Sequence, residues 1–340
     1  MRAVVLREHG GVDVLQEEEI ETPHAGPGEV RVRVHACALN RLDLWVRAGL
    51  PGLRLAYPHR LGSDVAGVVD EVGPGAPDSL AGSRVLVNPG LSCGRCRECL
   101  RGDDNLCASY RILGEHVSGG YAEWVTIPVQ NVLPYPEGLG WEQAAAVPLV
   151  FLTAWQMLVR RARVRPGDWV VVHAAGSGVG SAAIQIAKLF GATVVATASS
   201  PAKLEQARAL GADHVSSYDQ LVDVVRRLTG KRGVDVVVEH TGKATWESSL
   251  RVLRWGGTLV TCGATSGHEA QTDLRHVFYR QLSILGSTMG SKADLHDLLP
   301  HVASGRLRPV VDRTYPLSEA RQAHLRLESR EQFGKVVLLP

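Results

Sequence analysis

Apolar and polar residues alternate early in the chain with the period of two that marks a half-buried strand. Val30, Val32 and Val34 interleave with Arg31, Arg33 and His35, after a turn signalled by Pro27-Gly28. A second apolar run, 65–72, lies between Gly62 and Gly73-Pro74-Gly75, a short strand is predicted over 84–87, and Gly119-Gly120 reads as a turn feeding a strand toward Val125. The texture changes near Trp141, where Ala144-Ala145-Ala146 and 151–161 suit helices. Trp169 to Ala174 is apolar without alternation, as in a strand buried on both faces of a parallel sheet. A helix over 182–190, a strand over 193–197, a helix over 202–210 and strands over 235–239 and 258–262 follow. Strands alternating with helices on this scale predict βαβ units. The tail, 307–340, returns to strand-like text ending in Val336-Val337-Leu338-Leu339, and no internal repeat interrupts the chain.

A length of 340 residues allows two domains. With 37 basic and 35 acidic side chains, the net charge of +2 demands neither nucleic acid nor an anionic membrane as partner. The cluster Arg160, Arg161, Arg163 and Arg165 reads as a solvated helix end. No apolar run reaches membrane-spanning length, and the start, Met1 to Leu6, lacks the basic head and long apolar core of a signal peptide. Cysteine crowding into one loop points to metal rather than disulfides. A cytoplasmic protein is therefore expected.

The apolar strand at 169–174 runs into Ala175-Gly176-Ser177-Gly178-Val179-Gly180 and then a helix. A dinucleotide pyrophosphate needs backbone N–H groups at a helix N-terminus and no side chains in the way. After a buried strand and before a helix, this turn becomes a specific signal. An acidic residue about 20 positions on would bind the ribose 2′-hydroxyl of NAD. Here the next strand ends Thr197-Ala198-Ser199-Ser200 with no carboxylate, and Ser199, Ser200 and Lys203 offer donors and a cation to a 2′-phosphate. NADP(H) is expected over NAD(H). His240 and Gly263 follow strands of the same unit, at the carboxyl ends where ligands bind in such sheets, and join the cofactor candidates.

Cys93, Cys96, Cys99 and Cys107 follow C-x2-C-x2-C-x7-C in a Gly- and Arg-rich loop. Four thiolates close a tetrahedral zinc site with no position left for water, so the expected role is structural. Iron–sulfur runs have other spacings. Cys37 and Cys262 stand alone and are expected to be small buried apolar residues.

These motifs, in this order, resemble the medium-chain dehydrogenase/reductase superfamily over nearly the whole chain. The resemblance implies an α/β fold with a doubly wound Rossmann sheet and a GroES-like, β-rich domain split in sequence. The expected boundaries are 1–150 for the GroES-like substrate domain, 151–288 for the Rossmann domain, and 289–340 for a return to the substrate domain. The cysteine lobe resembles the structural-zinc loop of the family's alcohol dehydrogenases, as does Leu282-Ser283-Ile284-Leu285-Gly286-Ser287. Their catalytic zinc ligands do not carry over: the matching positions hold Asn40, Ser63 in Gly62-Ser63-Asp64, and Leu149. Asn, Ser and Leu do not hold a Lewis-acid zinc in the usual way.

The same segments, with Asn40-Arg41-Leu42-Asp43 and Thr245-Trp246-Glu247, look like zinc-independent quinone oxidoreductases. That resemblance implies that Asn40 and Thr153 line the nicotinamide pocket, and that Lys203, Tyr218 and Arg330 hold the 2′-phosphate and adenine. Trp45 replaces an aromatic hydroxyl common in that group, which also usually lacks the cysteine lobe. Asn40, Asp43 and Thr153 are the catalytic candidates, with Asn40 positioning substrate or stabilising an enolate. Asp43 suits either the pocket or a helix start. Asp64 suits a structural acceptor, and His59 and His116 suit the surface.

The leading expectation is hydride transfer from NADPH to a small quinone, enone or other activated carbonyl, without catalytic zinc. Two rivals remain: an alcohol dehydrogenase whose zinc is held by substitutes such as Asp43, His59, Asp64 or His116, and a cofactor-binding regulator without turnover. A homodimer or dimer of dimers is expected, through pairing of the strand at 282–286 with its symmetry mate.

Overall fold

The structure, a computed structural model, describes Met1–Pro340 in full. The chain divides into two compact units. The first comprises Met1–Leu149, Ser291–Ser304 and Pro309–Pro340, and the second comprises Val150–Gly290 and Gly305–Arg308. No helix is long and apolar enough to cross a membrane.

The first unit is built on a seven-stranded sheet. Its order runs Val311–Pro316, Lys335–Leu339, Glu29–Ala38, Asp64–Val72, Arg84–Val87, Val132–Pro134, with Trp124–Pro128 also pairing Glu29–Ala38. The period of two in the sequence is the reason for the central strand. Val30, Val32 and Val34 are buried in one core with Val65, Val69, Val85 and Ile127, while the arginines between them face outward. Register then sets up chemistry. Val337 pairs with Ala38 and Leu338 with Cys37 in the antiparallel sense, which brings Lys335 opposite Asn40. On the other side Ala38 pairs with Asp64.

The tail departs from its expected strand-like reading. A helix, Ala320–Glu328, separates its two strands. It buries Ala323, His324 and Leu327, but its remaining charged residues mask the apolar face in the sequence. A helix at Arg41–Ala48 places Asp43 in its first turn.

The second unit is a six-stranded, all-parallel sheet ordered His214–Ser216, Thr193–Thr197, Trp169–Val172, Val234–Glu239, Leu253–Thr261, Ser283–Gly286. In sequence order this is 3-2-1-4-5-6, the doubly wound arrangement. Val170, Val171 and Val172 are fully buried, as an apolar run without alternation requires. Strand order reverses between Trp169–Val172 and Val234–Glu239, and ligands bind outside the carboxyl ends of strands at such a switch point. Helix Gly178–Leu189 starts four residues earlier than its apolar pattern at 182 indicated, because two glycines of the turn already belong to it. The strand Ser283–Gly286 forms one edge of this sheet.

Candidate functional site

The glycine turn occupies the carboxyl end of the Trp169–Val172 strand. Ala174 takes a left-handed φ of 47° and its carbonyl accepts the N–H of Ser177 at 2.8 Å. Ser177 caps the helix, its Oγ accepting the Gly180 N–H at 2.9 Å. A Cβ on Gly180 would lie 2.3 Å from the Ala174 carbonyl oxygen, so no larger residue fits this strand-to-helix approach. The free N–H groups of this 12-residue helix form an anion-binding end that suits a pyrophosphate.

Beyond the next strand, Ser199 is exposed and Ser200 caps helix Pro201–Ala209, accepting the Lys203 N–H at 3.4 Å. These three residues thus gather at one turn. Tyr218 follows the His214–Ser216 strand and stacks on His173, with ring centroids 6.0 Å apart. Gly263 follows Leu253–Thr261. Thr153 is buried on helix Pro148–Trp155. Arg330 belongs to the first unit, where it adopts a φ of 56°. Its charge adds to burial in lowering the pKa of Arg41.

A buried polar network that the sequence did not announce backs the turn. His173 Nδ1 meets Thr197 Oγ1 at 3.0 Å and Nε2 meets Ser249 Oγ at 2.9 Å. Ser249 donates to Glu239 at 2.6 Å. Glu239 also accepts the N–H groups of Thr241 and Gly242 at 2.7 and 3.0 Å and the Thr245 hydroxyl at 2.8 Å. These donors and His173 hold its carboxyl below the usual range although burial opposes them. Next in sequence, His240 approaches Ser177 Oγ at 3.0 Å.

In the first unit the register described above converges on a second polar cluster. Lys335 Nζ donates to Asn40 Oδ1 at 2.5 Å and to Asp64 Oδ2 at 2.8 Å. Asn40 Nδ2 donates to Asp64 Oδ2 at 2.9 Å, and the Leu149 N–H donates to Asp64 Oδ1 at 2.8 Å. All three side chains are buried. Both ends of the Asn40 amide are therefore engaged, which favours positioning over direct donation to substrate. Lys335 had no signal in the sequence beyond being a polar residue beside an apolar run.

Asp43 takes the helix-start role. Its carboxylate accepts the N–H of Asn40 at 2.6 Å and of Gly62 at 2.9 Å. Burial pushes its pKa up to about 6 against those two donors and Lys335. Gly62, at φ 96°, has no room for a Cβ, which would lie 2.6 Å from Cys37 Sγ and 2.5 Å from the Tyr121 ring. Ser63 is fully buried and its hydroxyl has no partner. His59 is buried rather than on the surface and bonds the Gly114 carbonyl at 3.2 Å, while His116 accepts the Ile112 N–H at 3.1 Å.

The four lobe cysteines are the one group of three or more His, Cys, Asp or Glu side chains placed to share an ion. Their Sγ atoms all lie within 4.8 Å of one another. Cys93 and Cys99 are 3.9 Å apart and Cys96 and Cys99 3.5 Å. A tetrahedral zinc with Zn–S bonds of about 2.3 Å sets sulfurs about 3.8 Å apart, so the lobe fits the ion. The lobe is also tied down. Asp104 accepts the Lys292 N–H at 2.8 Å and its ammonium at 2.9 Å, fixing the lobe to the start of helix Lys292–Ala303. Of the two remaining cysteines, Cys37 is fully buried, whereas Cys262 is only partly so.

Residues 26–137 match the alcohol dehydrogenase GroES-like domain family and residues 178–304 the zinc-binding dehydrogenase family. A 2-haloacrylate reductase of Burkholderia sp. is 33% identical over 99% of this chain and 98% of its own length. The quinone oxidoreductase of Rattus norvegicus is 31% identical over 100% of this chain and 98% of its own. A solved structure of an NAD-dependent alcohol dehydrogenase is 54% identical, covers both chains completely and superposes with a TM-score of 0.97. The chain belongs to the medium-chain dehydrogenase/reductase superfamily and is an oxidoreductase of that family, with a Rossmann unit and a GroES-like unit.

Proposed function

We propose that this enzyme transfers hydride from NADPH to a small quinone or α,β-unsaturated carbonyl compound without a catalytic metal. The observation that carries the reading is Lys335. Its ammonium already sits on the oxygens of Asn40 and Asp64. A divalent ion at the three inherited positions would meet an amide, a hydroxyl and a leucine beside that fixed positive charge. An acceptor that is already electron-poor needs no such ion. Nicotinamide, when bound, supplies the hydride.

The chain's own residues then bind and orient. The glycine turn takes the pyrophosphate, and Ser199, Ser200 and Lys203 take the 2′-phosphate, with Tyr218 as a further contact by resemblance. On the first unit Asn40, fixed by Lys335 and Asp64, is the positioning residue, with Asp43 holding the Asn40 and Gly62 backbone in place. On the second unit Thr153 is the nicotinamide-side residue by resemblance. The unpartnered Ser63 hydroxyl is the donor available to an enolate oxygen. Zinc held by Cys93, Cys96, Cys99 and Cys107 orders the lobe, and its thiolates suit a reducing, cytoplasmic setting.

A second reading, NADH-dependent alcohol oxidation, is favoured by the name of the 54% identical structure. Metal analysis with steady-state kinetics separates the two. One zinc per chain, a lower KM for NADPH than for NADH and turnover of quinones or enones are expected. Two zinc ions per chain with oxidation of simple alcohols by NAD would overturn the proposal.

The assembly proposed is a dimer through the Ser283–Gly286 edge. Ile284 on that strand and Trp255, Phe278 and Tyr279 on the same unit are exposed, an apolar set that isolated monomers rarely present. Light scattering should report at least a dimer, and Ile284→Lys should shift it toward monomer.

A further inference from the structure

Ser177 and His240 follow the two strands that flank the switch point of the Rossmann sheet and are hydrogen-bonded to each other. Ser177 Oγ already accepts the Gly180 N–H, so its single proton is free to donate. Directed at His240 Nε2, that proton satisfies both groups and leaves the imidazole as the Nδ1–H form. His240 is 7% exposed, and its Nδ1 is buried with no partner. The titratable groups facing the ring are Glu239 and His173; burial, with His173 acting in the same sense, outweighs Glu239 and keeps the ring neutral. The ring is anchored through Nε2 at Ser177, and the backbone that follows it is held. Glu239 holds the backbone of Thr241 and Gly242, immediately beyond it, and the Thr245 side chain.

A buried, fixed N–H without an acceptor beside a 12-residue helix N-terminus asks for a ligand oxygen. We propose that His240 donates from Nδ1–H to an oxygen acceptor in the middle of the bound dinucleotide, a pyrophosphate oxygen or a hydroxyl of the nicotinamide-side ribose. This rests on the dinucleotide reading of the glycine turn, and it assigns Glu239 as a positioning residue. It also gives Ser177 two tasks, capping the helix and choosing the tautomer of His240.

The test is the dissociation constant of the full chain for NADPH, and for NADH in parallel, followed by nucleotide fluorescence. In His240→Asn the amide nitrogen falls near Nδ1 and retains the donor. In His240→Gln it falls near Nε2, retains the Ser177 contact and loses the donor. Expected are affinity within about threefold of wild type for His240→Asn and about tenfold weaker binding for His240→Gln and His240→Phe. Repeating the comparison with 2′,5′-ADP, 2′-phospho-ADP and 2′-phospho-ADP-ribose locates the acceptor. A penalty first seen with 2′-phospho-ADP assigns the pyrophosphate, and one first seen with the ribose present assigns the ribose.

Nitrogen-15 NMR of the wild-type His240 ring should show the Nδ1–H tautomer and a change at Nδ1 on adding nucleotide. An Nε2–H tautomer, or equal affinity of His240→Gln and wild type, overturns the inference and leaves the Rossmann reading intact. Failure of the wild type to bind either nucleotide overturns both. Glu239→Gln should weaken nucleotide binding and broaden the Nδ1 resonance. Unaltered His240 signals in that variant would remove Glu239 from the positioning role.

Discussion

Replacing Lys335 by Met keeps an unbranched side chain, one atom shorter, and deletes its charge. Asp64 would then keep two donors, Asn40 Nδ2 at 2.9 Å and the Leu149 N–H at 2.8 Å, but lose its only cation. Lys335 and Asp64 side chains are 3% and 0% exposed, so water cannot take the place of the ammonium. Removing one partner of such a pair costs about 3–5 kcal/mol. The two remaining donors argue for the lower end, about 3 kcal/mol. At about 2–4 °C per kcal/mol for a unit of this size, the thermal midpoint of the first unit should fall by roughly 6–12 °C. The assay is a double-mutant cycle with Asp64→Asn, followed by urea or thermal unfolding with a probe in the first unit, such as Trp45 or Trp141. The double variant should recover part of the loss, with a coupling energy of about 2 kcal/mol. Additivity within about 0.5 kcal/mol, or a Lys335→Met variant as stable as wild type, would refute the view that this ammonium neutralises the cluster.

Acid should destabilise the protein below the ordinary histidine range. Burial lowers His324 to about 3 and His240 to about 4, so the unfolded chain binds more protons there and stability falls as pH drops from about 6.5. Asp43, raised to about 6, acts in the opposite sense between its unfolded value of 3.8 and that pH, its contribution being full at low pH and lost as pH rises. Two protons against one leave a slope of about 1.4 kcal/mol per pH unit from these groups between pH 4 and 6, which urea midpoints measure and His324→Gln should flatten. Stripping zinc with a chelator should raise hydrogen exchange in the cysteine lobe and also at the start of helix Lys292–Ala303, through Asp104. Exchange that rises in the lobe alone would contradict that tie. Gly180→Ala forces a Cβ to 2.3 Å from the Ala174 carbonyl oxygen and should weaken dinucleotide binding at least about tenfold, read by fluorescence titration, while zinc content stays unchanged.

Legibility in the sequence followed locality. The glycine turn, the cysteine spacing and the parallel strands are written within windows of 4 to 15 residues, and their local pattern is the physical cause of the structure. The polar clusters are not. Lys335 and Asp64 are 271 residues apart, and only the register of three neighbouring strands brings them together. Glu239 closes a predicted strand with no further signal of its own, yet its carboxylate organises the loop that follows it. The helix Ala320–Glu328 carries a weak pattern because its buried face is small and includes Ala323 and His324, while Leu325 is turned outward. The sequence leaves two roles open for Asp43, and its bonds to the Asn40 and Gly62 N–H groups put it at the helix start.

The C-terminal strand Lys335–Leu339 does not lie at a margin of its sheet but inside it, flanked by Val311–Pro316 and Glu29–Ala38. A chain made from its N-terminus therefore cannot complete this sheet until residues 335–339 have left the ribosome. The second unit, contiguous but for Gly305–Arg308, has nearly all its strands in hand long before. Vectorial synthesis thus leaves the early β-rich segment with a gap in its sheet, an open template for wrong pairing, for most of its time on the ribosome. Any tag, fusion or truncation that intrudes on Val336, Val337 or Leu338 would prolong that state. Its expected signature is insoluble protein rather than a soluble enzyme with altered kinetics.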